Sequence, residues 1–197
     1  MTAPRAGRRT VDIVRKFLES VRRDMAVAAV TTFRESIAGS VLVPQVIRTL
    51  LYRASGMREV RSYNIRPRQV LDNGNLRIGD RAAVNQACFF EGRGLVALGD
   101  DCRIGPQTTF ITSLHKRLPD GTLEAESTYL EIHVGPRAWI GARSVILPGA
   151  VIEEDCVIAA GSVVRGRCIA GLTYGGVPAR RIETAWDLRR DRDVPAS

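Results

Sequence analysis

The stretch "IGARSVILPGAVIEEDCVIAAGSVV", residues 140–164, carries an aliphatic residue at Ile140, Ile146, Ile152, Ile158 and Val164. A step of six matches neither the helical repeat nor the two-residue alternation of a strand. Read backwards, the phase reaches Val134. Upstream it recurs as Ile78, Val84, Phe90 and as Leu98, Ile104, Phe110, with two extra residues between these sets. A coil with flat sides keeps such residues on one buried line. If each six residues make a short strand and a turn, three sides close a triangular coil of about 18 residues, and stacked coils share one interior. The sets 78/84/90, 98/104/110, 134/140/146 and 152/158/164 are then four coils.

Side chains alternate along a strand, so the position two before each aliphatic residue also faces inward. Those positions are mostly small: Ala82, Cys88, Val96, Cys102, Thr108, Ile132, Ala138, Ser144, Ala150, Cys156, Ser162 and, one step on, Cys168. All four cysteines fall in this register and none forms a CxxC pair. They read as fillers of a narrow core, not as metal ligands or a redox pair.

Outside the repeat the chain is ordinary for a globular protein. Of its 197 residues 45% are hydrophobic and 25% charged, and no apolar run approaches the roughly 20 residues that a membrane-spanning helix needs. The basic start, "MTAPRAGRRTVDIVRKF", lacks the apolar stretch of a signal peptide, so a cytoplasmic protein is expected. Net charge is +8, and the first 23 residues hold seven Arg or Lys against Asp12 and Glu19. A solvated tail is the simpler account of that excess, and contact with a membrane surface or polyanion the sharper and less favoured one. Aromatics are only 6% and no nucleic-acid-binding motif is present, so no nucleic-acid partner is expected.

Val11, Val14, Leu18, Val21 and Met25 share one face at helical spacing, predicting an amphipathic helix over 11–25. Val43, Val46, Ile47, Leu50 and Leu51 predict a second, with Ser40 as N-cap and Gly56 past its end. Both apolar faces are expected to pack on the solenoid, because an open coil end must be covered. The predicted organisation is a helical segment over 1–66, a β-helix over 67–170 interrupted by a loop over 111–133, and an extension over 171–197. The charged end, "ETAWDLRRDRDVPAS", reads as a turn or two of helix.

The interruption, "ITSLHKRLPDGTLEAESTYLEIH", contains the turn signal "PDG" and should project from the solenoid, where function often resides. The two histidines of the chain, His115 and His133, lie at this loop. An imidazole suits proton abstraction near neutral pH. His133 precedes an inward position by one and so should face outward as a surface residue.

The motifs "VNQAC" (84–88), "IGPQTTFITSLH" (104–115), "VGPRAWIGARSVILPGAVI" (134–152), "VIAAGSVV" (157–164) and "GGVPARRI" (175–182) make the region from about Ser40 to Ile182 similar to the sugar O-acetyltransferases of the hexapeptide-repeat family, including galactoside, maltose and capsule-polysaccharide acetyltransferases. The resemblance implies a mainly β fold, a left-handed parallel β-helix with N-terminal helices and a long excursion loop. It implies acetyl-CoA as acyl donor, no metal, a small-molecule acceptor, and a homotrimer with active sites between neighbouring coils. His115 falls where the family keeps its catalytic base. Asn85 and Trp139 match acceptor-side positions. Ala142 and Ala160 match positions whose backbone meets the pantetheine arm, with the Ala142 N–H facing the developing oxyanion. Arg165, Arg180 and Arg181 match the cofactor border. Sugar-acetylating members often carry an aspartate seven or eight residues beyond the asparagine. Here those positions are Gly92 and Arg93, with Glu91 the nearest carboxylate and a candidate substitute.

Three rivals stay open. Transfer to an amine needs the same base and oxyanion site. A non-catalytic solenoid could serve as a binding scaffold. The zinc-dependent carbonic anhydrases of this fold need three histidines, against the two present.

Overall fold

Parallel pairing stacks the inward residues in the register that the six-residue step requires. In the computed structural model, which describes residues 6–71 and 74–183, Ile78 pairs with Leu98, then Val134, Ile152 and Cys168 follow in line. Val84 meets Ile104, Ile140 and Ile158 in the same way, and Phe90 meets Phe110, Ile146 and Val164. The three parallel sheets are the sides of a prism, and the protein is a mainly β, left-handed parallel β-helix. All twelve aliphatic and aromatic residues of the repeat are at most 4% exposed. Phe90 and Phe110 stack with ring centroids 4.9 Å apart.

The small inward residues are buried as expected, and the polar ones close corners. Thr108 Oγ1 donates to the Gly105 carbonyl at 2.9 Å, Ser144 Oγ to Gly141 at 2.9 Å, and Ser162 Oγ to Ala159 at 2.6 Å. Burial pushes the thiols of Cys88, Cys102 and Cys168 up to about 12 and raises that of Cys156. They stay protonated and inert.

A further coil precedes the four read from sequence. Val60 bridges to Ile78, Ile65 pairs with Val84, and Leu71 with Phe90. Its steps of five and six residues hid it. At the other end Thr173–Gly175 extends one sheet in parallel, and Arg180–Arg181 then pairs with it antiparallel.

On two of the three edges the third residue after an inward aliphatic residue turns the corner in the left-handed region. On one edge these are Arg81, Asp101, Arg137 and Asp155, with φ between 54° and 57°. They alternate in charge up the prism. Arg81 donates twice to Asp101, at 2.8 and 2.6 Å, and Arg137 twice to Asp155, at 2.8 and 2.7 Å.

The helices correct two expectations. Helix α1 runs over Ala6–Thr32 and continues as a π-helical stretch, Phe33–Ala38; α2 spans Gln45–Ala54 and starts after Pro44, not at Ser40. The Ser40 Oγ instead accepts from the Leu42 N–H, while Gly56 does follow the helix at φ 103°. Nor do the apolar faces pack fully on the solenoid, although Leu51 of α2 does reach the core. Val14, Leu18, Val21 and Met25 of α1, and Val46, Ile47 and Leu50 of α2, are exposed, and α2 buries Arg48, Thr49 and Tyr52. The reason lies in what the coil end presents, which is backbone carbonyls that need donors. Arg48 donates to the carbonyls of Ala38 (3.0 Å), Ile65, Ser40 and Val43 (each 2.7 Å). Thr49 serves Ser62, and Arg53 serves Val60 and Arg61. The expected C-terminal helical turns, in 184–197, lie outside the described residues. Among the described residues no helix is long and apolar enough to cross a membrane.

Candidate functional site

The excursion over 111–133 is an ordered hairpin. Ser113–Leu114 pairs antiparallel with Thr128–Tyr129, and Arg117 bridges Leu123. The tip forms around the "PDG" signal: Asp120 Oδ1 accepts from the Thr122 hydroxyl and backbone N–H, which hold its carboxyl below the usual carboxylate range, and Gly121 turns at φ 87°.

His115 follows the first strand of this hairpin. Its Nδ1 lies 3.0 Å from the carbonyl oxygen of Glu124, and its Nε2 lies 3.3 Å from the Ser127 hydroxyl. A carbonyl can only accept, so Nδ1 carries the hydrogen and Nε2 keeps its lone pair in the neutral ring. Glu91 stands on the neighbouring strand. Its Oε1 accepts from Ser113 Oγ at 2.6 Å, while Oε2 is buried without a partner. His115, Glu91, Arg93, Ser127 and Tyr129 line one cavity of about 720 Å³, walled on the far side by Ala26, Val27 and Val30 of α1.

A second cavity, about 620 Å³, runs along the prism face built from Asn64–Ile65, Ala83–Val84, Arg103–Ile104, Trp139–Ile140 and Val157–Ile158. Asn85, Trp139, Ala142 and Ala160 line it together. The Asn85 carbonyl accepts from Gln69 Nε2 at 2.7 Å, and its side-chain oxygen accepts from the Gln86 N–H at 2.8 Å, so the amide NH₂ is the end left to donate. Trp139 is 52% exposed and offers an apolar wall. The corners close tightly because glycines precede them. A Cβ on Gly105 would sit 2.5 Å from the Ala142 nitrogen, and one on Gly141 2.5 Å from the Ala160 nitrogen.

The sequence-predicted residues thus fall into groups. Asn85, Trp139, Ala142 and Ala160 share one groove, and His115 and Glu91 share the other. Within one chain the two groups do not meet in a single cavity. Arg165 is exposed at a corner, and Arg180 and Arg181 are exposed on the antiparallel strand that ends the grooved face; none of the three lines either cavity. His133 faces outward, 3.0 Å from the Glu131 carboxylate. Sequence reasoning missed Asn64, Arg66 and Arg103 in the groove and Ser113, Glu124 and Ser127 around the histidine. Arg103 could have been found, since it occupies the outward position before Ile104. The partners of His115 depend on how the hairpin closes, which no spacing announces. Among the described residues no group of three His, Cys, Asp or Glu could hold a metal ion.

A family profile described as bacterial transferase hexapeptide (six repeats) matches residues 131–166. Nodulation protein L of Rhizobium leguminosarum bv. viciae is 38% identical over 117 residues, 59% of this chain and 62% of that protein. Galactoside O-acetyltransferase of Escherichia coli (strain K12) is 31% identical over 108 residues, 55% of this chain and 53% of that protein. The chain therefore spans 53–62% of the length of these curated relatives. The solved hexapeptide-repeat containing acetyltransferase from Vibrio cholerae aligns with a TM-score of 0.70 at 24% identity, covering 81% of this chain and 92% of that one. It has also been solved with acetyl coenzyme A, with a TM-score of 0.65 at the same identity, covering 81% of this chain and 87% of that one.

Proposed function

We propose that this chain, a hexapeptide-repeat protein of the acetyltransferase family, transfers an acetyl group from acetyl-CoA to a hydroxyl of a sugar or glycosylated metabolite by direct attack. The observation that carries this reading is the His115 ring, whose Nδ1 is committed to the Glu124 carbonyl so that Nε2 is the available base. In the proposed step Nε2 takes the proton of the acceptor hydroxyl as its oxygen bonds to the thioester carbonyl carbon. The carbon–sulfur bond then breaks, and the proton passes to the departing sulfur. The Ala142 N–H meets the negative charge that develops on the carbonyl oxygen. Asn85 donates its amide towards the reacting groups, and Glu91 Oε2 accepts from an acceptor hydroxyl. Arg165, Arg180 and Arg181 meet the phosphates of the donor. The buried, protonated thiols argue against a cysteine acyl-enzyme.

The donor groove and the His115 cavity are separate within one chain, which supports a homotrimer in which one copy supplies the base and its neighbour the groove. Acyl-CoA is a cytoplasmic metabolite, and we assign the protein to that compartment. Calorimetric titration with acetyl-CoA tests the donor without any guess at the acceptor. One saturable site per chain is expected. Absence of binding to acetyl-CoA and to free CoA would favour a non-catalytic scaffold. Turnover on amines but not on sugars would move the assignment to N-transfer.

A further inference from the structure

Helix α1 presents a stripe that none of the described residues covers. Val14, Phe17, Leu18, Val21 and Met25 recur at helical spacing and are 50, 65, 59, 41 and 67% exposed. The helix meets the His115 cavity through a different side, that of Ala26, Val27 and Val30, so the stripe looks away from the solenoid. Arg15 and Arg22 border it along one edge and Asp24 along the other, while Lys16, Glu19 and Arg23 lie on the opposite side of the helix.

Charge decides what fits this stripe. An anionic surface complements an apolar stripe bordered by cations. Elsewhere, the described part of the chain offers little such surface. Its carboxylates at Glu59, Asp80, Asp100, Asp101, Glu153, Glu154 and Asp155 are already paired with arginines, and the whole chain carries +8. A second copy laid stripe to stripe would bring its own Arg15 and Arg22 beside the first pair. We propose that α1 is an interfacial helix that lies on anionic phospholipid, with Val14, Phe17, Leu18, Val21 and Met25 entering the acyl boundary and Arg15 and Arg22, at its edge, meeting headgroup phosphates. This surface is independent of the acyl-transfer chemistry.

Sedimentation of the full chain with vesicles tests it, using phosphatidylcholine alone and phosphatidylcholine mixed with phosphatidylglycerol at low and high salt. Binding to the anionic vesicles is expected, at least tenfold weaker on the neutral ones and weakened by salt. Phe17→Ser with Leu18→Ser should lower anionic binding at least tenfold. Arg15→Glu with Arg22→Glu should do the same with the stripe intact, with circular dichroism confirming that both variants stay folded. Equal sedimentation of wild type and variants, or no sedimentation of the wild type, overturns the proposal. A change of oligomeric mass in the Phe17/Leu18 variant without any change on vesicles would assign the stripe to a second copy instead.

Discussion

The Nδ1 N–H of His115 donates to the carbonyl oxygen of Glu124 at 3.0 Å, and this bond fixes which ring nitrogen can act as a base. Replacing the ring removes proton abstraction and leaves the groove that holds Asn85 and Ala160 untouched. His115→Ala is therefore expected to lower kcat by about 10²- to 10⁴-fold. Its acetyl-CoA affinity by calorimetry should match the wild type; a large loss of affinity would make the residue structural.

Glu91 keeps one carboxylate oxygen on Ser113 and the other buried without a partner, which is costly unless something arrives to donate. Glu91→Gln keeps the shape and replaces one acceptor by a donor. A rise in KM for the acceptor at unchanged acetyl-CoA affinity is expected in steady-state kinetics. Unchanged KM would remove Glu91 from the acceptor site.

Gly141 has no room for a methyl group, which would sit 2.5 Å from the Ala160 nitrogen. Gly141→Ala should destabilise by about 1–3 kcal/mol through overpacking. Because the displaced backbone lines the groove, acetyl-CoA binding should weaken as well. Denaturant melts and calorimetry on the same sample read both effects, and loss of stability with full affinity would separate the corner from the groove.

Arg48 gathers four carbonyls from three stretches of chain. Arg48→Met should cost about 3 kcal/mol by urea denaturation, since several buried acceptors lose their donor. Arg48→Lys should recover little of it, because a single ammonium cannot span the fork. Full rescue by lysine would show that charge alone matters there.

Hydrogen bonds from Arg81 hold the Asp101 carboxyl below its usual range. A depressed folded-state value contributes stability above the unfolded aspartate value of about 3.9, and that contribution fades as pH falls through the folded value. Arg81→Ala should thus narrow the difference in melting temperature between pH 7 and pH 3. An identical drop in both proteins would show that the pair adds nothing.

Legibility followed periodicity. Ile140 and its equivalents announce themselves because every side turns its sixth residue to one interior, and the small Cys102 and Ser144 follow from strand alternation. The coil through Val60, Ile65 and Leu71 escaped because its steps are uneven. Hydrophobic spacing on α2 marks Val46, Leu50 and Leu51, of which only Leu51 meets the core, because the end of a solenoid is a row of carbonyls that Arg48 and Thr49 satisfy. The corners were equally hidden, since Arg81, Asp101, Arg137 and Asp155 adopt φ values for which turn rules anticipate glycine. At the site, the motifs identified Asn85 and His115 but not that they occupy separate cavities, which depends on the path of the hairpin.

A coil that pairs with its neighbour on three sides has a self-templating end, because whatever satisfies coil two would equally satisfy a coil from another molecule. The Arg48 guanidinium at one end and, on one of the three sides at the other, the reversed Arg180–Arg181 strand work as chain terminators in the polymer chemist's sense. The repeat sets the pitch of growth, and these two stops set its length. A change that spares every repeat but removes a terminator would leave an end open to a coil from another molecule.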